Sequence, residues 1–128
     1  TGVVVASGDV LLIRTGRWEQ VRQQGQWNFL EKAAGSHASI AKWLKARDVA
    51  IIGSDGVSDV MPSGVEGKLN PLHELVLVGL GMPILDNFNL DDVSVAARQR
   101  NRWTFLFVAA PLRVVGGTGS PVNALAIF

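Results

Sequence analysis

The chain has no cysteine and only two histidines among its 128 residues. The first absence excludes disulfides, thiolate metal ligands and cysteine nucleophiles, and it suits a cytoplasmic protein. A charge excess of one sign is also missing: 12 Lys and Arg stand against 11 Asp and Glu, for a formal net charge of +1. With no broad basic face, nucleic acid and anionic membranes are not expected partners. Long hydrophobic runs are lacking as well. The longest, Leu75 to Leu85, lies between Glu74 and Asp86 and falls well short of the roughly 20 residues a membrane helix needs. No charged segment followed by an apolar stretch marks a secretion signal. The chain opens Thr1-Gly2-Val3 without Met and enters an apolar run at once, which reads as a start in the middle of something longer. Thr1 as an N-terminal nucleophile, with its own amine as base, is a third reading.

What is present is 48% hydrophobic, enough for one domain, residues 1–128, with its own core. Val10-Leu11-Leu12-Ile13, between Gly8-Asp9 and Arg14-Thr15-Gly16, has the form of a buried strand bounded by turns. The Gln-rich stretch from Trp18 to Ala34 predicts a short helix followed by loop. Ser36 is a suitable cap for an amphipathic helix carrying Ile40, Trp43 and Leu44 on one side and Lys42, Lys45 and Arg47 on the other. Val49 to Ile52 then reads as a second buried strand.

Residues 54–70, rich in Gly, Pro, Ser, Asp and Asn, form a long loop of the kind that carries function. Pro71 is placed for the first turn of a helix capped by Asn70 and stopped by Gly81. That helix is apolar almost all round, which predicts burial against a sheet or a neighbouring subunit. A short strand at Pro83-Ile84-Leu85 and a helix capped by Asn89 follow. Two further strands are expected at 103–110 and 122–128. Helices and strands intermixed in this order indicate an α/β fold with a mixed sheet and flanking helices. The four tryptophans, Trp18, Trp27, Trp43 and Trp103, are expected mostly in the core, with one available to floor an aromatic pocket.

Few residues can carry chemistry. His73, in the first turn of the apolar helix, and Asp86, just after a strand, stand at the ends of adjacent elements. An imidazole and a carboxylate there could converge on a divalent cation or a water, since these are the usual N and O donors. The alternative is structural, His73 as a helix-start residue and Asp86 as a turn residue. His37 follows the expected cap, as either a pocket residue or an exposed first-turn histidine. Gly116-Gly117-Thr118-Gly119-Ser120-Pro121 lacks the lysine and the following helix of a nucleotide loop, so a tight turn is expected. Thr118 and Ser120 are candidates to line a pocket there. Arg98, Arg100 and Arg102 sit at a helix end, where cations complement the dipole.

Several stretches together resemble the cyclase family, which includes kynurenine formamidase and isatin hydrolase. They are Gly8 to Gly16, Lys42-Trp43-Leu44 leading to Val49 through Asp55, Pro71-Leu72-His73 through Gly81-Met82-Pro83-Ile84-Leu85-Asp86-Asn87, and Ala110-Pro111-Leu112-Arg113 with Gly116 to Val122. The order holds across nearly the whole chain. The resemblance implies a swivelling β/β/α cyclase-like fold, incomplete in this segment. It also implies a hydrolase that opens an amide or lactam C–N bond of a small molecule with Mn²⁺ or Zn²⁺, as a homodimer or higher oligomer. The family's ligand motif, H-x-G-T-H-x-D-x-x-x-H, belongs to its N-terminal half and does not occur here. His73 matches a family histidine, as ligand or general acid/base. Asp86 falls at or one position beyond a family glutamate, either as a ligand or as the group that orients His73 or water. The remaining ligands are expected in an absent N-terminal portion. The contrasting expectation is a non-catalytic small-molecule-binding or assembly protein that keeps the fold without the metal motif.

Overall fold

The computed structural model describes residues 2–128. The reading of Thr1 as a nucleophile therefore lies outside the described residues. The described residues divide into two compact units, Val4–Asp92 and Val93–Phe128 with Gly2 and Val3.

The larger unit is built on a parallel sheet of three strands in the order β1 (Val10–Ile13), β2 (Ile51–Ser54) and β3 (Ile84–Leu85). Val10 is paired with Ile51, and Ile52 with Ile84. Parallel neighbours need crossovers. The first holds α1 (Arg17–Gln24) and α2 (Ile40–Ala46), the second the 55–70 loop and α3 (Pro71–His73). Without a break, α3 passes into a π-helical turn, Glu74–Gly79, where the Leu80 N–H reaches back five residues to the Leu75 carbonyl at 2.9 Å. The core joins Ala41 and Leu44 of α2, Val49, Ile52 of β2, Leu72, Val76 and Met82. Gly53 occupies the central strand because its neighbours close over it. A Cβ there would stand 3.0 Å from side-chain atoms of both Leu12 and Leu85.

In the smaller unit, β4 (Leu106–Val108) and β5 (Leu125–Ile127) pair antiparallel, Leu106 with Ile127. Phe105 and Phe128 pack with ring centroids 5.2 Å apart, and the Arg100 guanidinium lies 5.1 Å from the Phe128 centroid. Helix α4 (Asp91–Gln99) begins in the larger unit and continues in the smaller. Its cap is as expected: Asn89 Oδ1 accepts the Asp91 N–H at 3.1 Å.

The α/β architecture expected from the sequence is observed, with several local corrections. The second strand starts at Ile51 rather than Val49, because the Val49 N–H still closes the end of α2 on the Leu44 carbonyl at 3.1 Å. The expected strands at 103–110 and 122–128 shrink to three residues each, because the ladder pairs only Leu106–Val108 with Leu125–Ile127. Ser36 does not cap α2. Its backbone is bonded to Ser58 and Val60, and Ser39 holds the capping position without a side-chain bond, its own N–H donating to His37 Nδ1 at 3.2 Å.

The helix that begins at Pro71 is buried on one side only: Pro71, Leu72 and Val76 are inside, while Leu75, Leu77 and Val78 face outward. Nor are the tryptophans core residues. Trp18 and Trp27 are half-buried, and Trp43 and Trp103 are exposed. The interior is filled by aliphatic side chains, while Trp18, Trp27 and Trp43 stack against arginines.

Candidate functional site

The tight turn that leaves β2 carries most of the polar chemistry. Ser54, the last residue of the strand, turns its hydroxyl oxygen back to accept the N–H groups of Gly56 and Ser58, each at 3.1 Å. That bend holds Ser58 at φ 52°, a left-handed conformation a serine adopts only where its surroundings impose it. Two carboxylates, Asp55 and Asp59, leave the turn in different directions. Both are buried.

Asp55 receives four hydrogen bonds from the start of α1: the Thr15 N–H and hydroxyl, both at 2.7 Å, the Gly16 N–H at 2.8 Å and the Arg17 N–H at 3.1 Å. The first N–H groups of a helix have no partner within it, and an anion is favoured there. Asp59 does the same for α3, its Oδ1 accepting the Leu72 N–H at 2.7 Å and its Oδ2 the His73 N–H at 3.3 Å. Asn70, expected to cap that helix, makes no side-chain cap bond.

Asp59 Oδ2 also meets His73 Nδ1 at 2.5 Å. On the other edge of the ring, His73 Nε2 lies 2.9 Å from Asp86 Oδ2, just beyond β3. The Ser58 hydroxyl donates to Asp86 Oδ1 at 2.6 Å, and Ser54 and Ser58 oxygens stand 3.2 Å apart. The result is a continuous chain, Asp59, His73, Asp86, Ser58, Ser54, at the carboxyl ends of two neighbouring parallel strands. This is the edge where α/β sheets place their ligands.

The His73 side chain is 23% exposed. Its hydrogen bond to Asp86, seconded by Asp59, pushes its pKa up from 6.5 to about 9 against the opposing pull of burial. At neutral pH the ring is an imidazolium that donates from both nitrogens.

The structure thus brings His73 and Asp86 together, and adds Asp59, Asp55 and Ser58, which the sequence reading did not single out. A Ser-Asp pair in the loop beyond a parallel strand was the available signal. His37 is exposed and engaged with Ser39. Ser120 accepts the Leu112 N–H at 2.9 Å within the smaller unit, and Thr118 is exposed there.

The fit to a divalent cation is partial. His73 Nε2 and Asp86 Oδ2 are an N and an O donor in contact, and a carboxylate on the far ring nitrogen is the usual support of a ligating histidine. Among the described residues no third His, Asp or Glu joins them to make a metal-holding group. A metal site built on this pair needs further donors.

A parallel three-stranded sheet with helical crossovers and an acid–histidine–acid chain at its carboxyl edge is an α/β fold with a polar site. Comparison with known proteins narrows that class. The "Cyclase" family model matches residues 1–59. A solved crystal structure described as a novel cyclase superposes with a TM-score of 0.81 at 26% sequence identity, covering 98% of this chain. The fold is the cyclase fold, and the two findings together support the cyclase family. The chain spans 42% of that solved protein's length. No curated protein matches the chain significantly. Among the described residues, no helix is long and apolar enough to cross a membrane.

Proposed function

We propose that the chain contributes part of the active site of a metal-dependent hydrolase that opens an amide or lactam C–N bond of a small molecule. The observation that carries this reading is the chain Asp59–His73–Asp86 at the carboxyl edge of a cyclase-fold sheet. Asp86 and, once its Nε2 proton has left, His73 would hold a divalent cation, Mn²⁺ or Zn²⁺, with further donors from outside these 128 residues. Such a cation, when bound, lowers the pKa of water and polarises a carbonyl.

The chain's own residues have definable tasks. Asp59 fixes the ring by taking both the backbone N–H and Nδ1 of His73. Ser58 holds Asp86 through Oδ1, leaving Oδ2 toward the ring. If instead the cation is held by Asp86 and the outside donors alone, His73 keeps its Nε2 proton in the 2.9 Å contact with Asp86 and can hand it to a leaving nitrogen, a contribution typically worth about 10²–10⁴ in rate.

A second reading is favoured by a specific observation: both nitrogens of His73 are already engaged, as suits a structural ion-pair network in a non-catalytic small-molecule-binding or assembly protein. Metal content and turnover separate the two. Stoichiometric Mn or Zn together with hydrolysis of N-formyl aryl amides or lactams is the result expected of the hydrolase, with His73→Ala lowering turnover at least 100-fold. Turnover unchanged in His73→Ala would refute the role given to His73. Protein that holds neither metal nor activity would leave the binding reading standing.

A further inference from the structure

The helix that begins at Pro71 is apolar on two sides, and its own chain covers one of them. From Leu75 to Leu80, six consecutive residues carry no polar side chain. Leu72 and Val76 turn inward and are fully buried, while Leu75 and Leu77 are nearly half exposed and Val78 is 85% exposed. Leu69, just before the helix, is exposed too. Helix α2 of the same unit solves the problem differently, setting Lys42, Lys45 and Arg47 toward water. A helix apolar on every side is one that is covered on every side. Leu69, Leu75, Leu77 and Val78 together offer on the order of 400 Å² of apolar surface, the size at which a patch on a monomer marks an interaction site.

We infer that this face is where a second copy of the chain packs, helix against helix around a two-fold axis. Charge decides between the occupants. Lys68 and Glu74, the charged side chains beside the patch, pair with each other at 2.8 Å, which leaves no net charge for an anionic lipid or a charged partner to read. A two-fold axis needs none, since the same patch serves on both copies and meets itself, apolar side to apolar side. Area points the same way. A standard interface buries about 800 Å² per partner, a little over half of it apolar, which is close to what this face and its polar flanks supply. Beside Val78 the helix is slim: a Cβ at Gly79 would meet nothing within 4 Å, so a neighbouring backbone can approach closely there. His73 lies four residues before Leu77 on the same continuous helix, so the pairing braces the element that carries the acid–histidine chain. It does not depend on the hydrolase reading.

The test is sedimentation equilibrium of the 128-residue chain in EDTA, over about 1 to 100 µM. A dimer of twice 13.7 kDa is expected, with a Kd of about 10 µM or tighter. Val78→Asp sets a carboxylate on both sides of the axis and should weaken the dimer at least about 30-fold, while circular dichroism stays that of wild type. Gly79→Glu, whose side chain enters open space, should do the same and decides the matter should Val78→Asp fail to fold. Val115→Asp is the control: it makes the same change at a residue 98% exposed in the smaller unit and should leave the Kd within about twofold. A monomer at about 100 µM, a dimer that neither Val78→Asp nor Gly79→Glu weakens, or equal weakening by Val115→Asp would each overturn the inference. So would a monomer that sediments with phosphatidylcholine vesicles, which would give the face to lipid. Because no turnover is measured and no metal is present, an inactive enzyme leaves this outcome untouched.

Discussion

Replacing Asp55 by Asn changes one atom and should cost a large part of the fold's stability. The carboxylate accepts two bonds on each oxygen, from the Thr15 N–H and hydroxyl on Oδ1 and from the Gly16 and Arg17 N–H groups on Oδ2. An asparagine amide keeps one acceptor, loses the charge, and sets its NH₂ group against either the Gly16 and Arg17 N–H groups or the Thr15 N–H, the Thr15 hydroxyl alone being able to turn and accept. Hydrogen bonds to a charged group contribute about 1.5–3 kcal/mol each. Removing at least one of them in a fully buried place and the charge from the others, with partial relaxation, predicts a loss of about 3–5 kcal/mol, a substantial share of the 5–15 kcal/mol typical of a domain. In a chain of this size that corresponds to a fall in Tm of about 10–20 °C. Urea unfolding followed by circular dichroism measures it, with the slope against urea expected to stay unchanged. Glu66→Gln, at an exposed position, is the control and should stay within about 0.5 kcal/mol. A loss below about 1 kcal/mol for Asp55→Asn would refute the argument that this carboxylate anchors α1.

Three further outcomes are expected. In the metal-free chain, the raised pKa of His73 means the folded state keeps a proton that the unfolded state releases above pH 6.5. Its contribution is thus complete below pH 6.5, falls as the pH rises and is gone above about pH 9; it amounts to about 2–3 kcal/mol after allowance for partial exposure. The difference in unfolding free energy between wild type and His73→Gln, measured from pH 6 to 10 in EDTA, reads it, and a flat difference would rule it out. Asp59→Asn should bring the His73 pKa down from about 9 toward its ordinary value, visible in an NMR titration of the ring protons; an unmoved titration would mean that Asp59 does not hold the ring. Gly35→Ala should destabilise by about 2–4 kcal/mol, since a Cβ there would stand 2.4 Å from the Asp59 carbonyl carbon and oxygen. A Tm within 2 °C of wild type would show that the backbone yields more easily than its packing suggests.

Where local chemistry alone decides, the sequence was legible. Asn89 caps the next helix, Val10 to Ile13 lies between turn residues, and Pro71 opens a helix, as each residue's own preferences dictate. Even the meeting of His73 and Asp86 followed from two elements ending side by side. The long-range partners were not legible. Asp59 acts through a helix 13 residues away, and apart from the serine before it nothing in its neighbours distinguishes it from a solvated loop aspartate. Ser36 has the local chemistry of a cap but does not act as one, because its bridge to the 58–60 segment is a tertiary contact that overrides a local preference. The tryptophans misled for a related reason: hydrophobic bulk favours the core, but rings that can stack on arginines remain at its margin.

The turn after β2 has a mechanical consequence. Asp55 grips the beginning of α1 and Asp59 the beginning of α3, so five consecutive residues form a rigid hub from which two helices hang by their first amide groups. A pull on either helix is borne by that turn, which the Ser54 hydroxyl closes on Gly56 and Ser58 and whose Ser58 hydroxyl holds the carboxylate of Asp86.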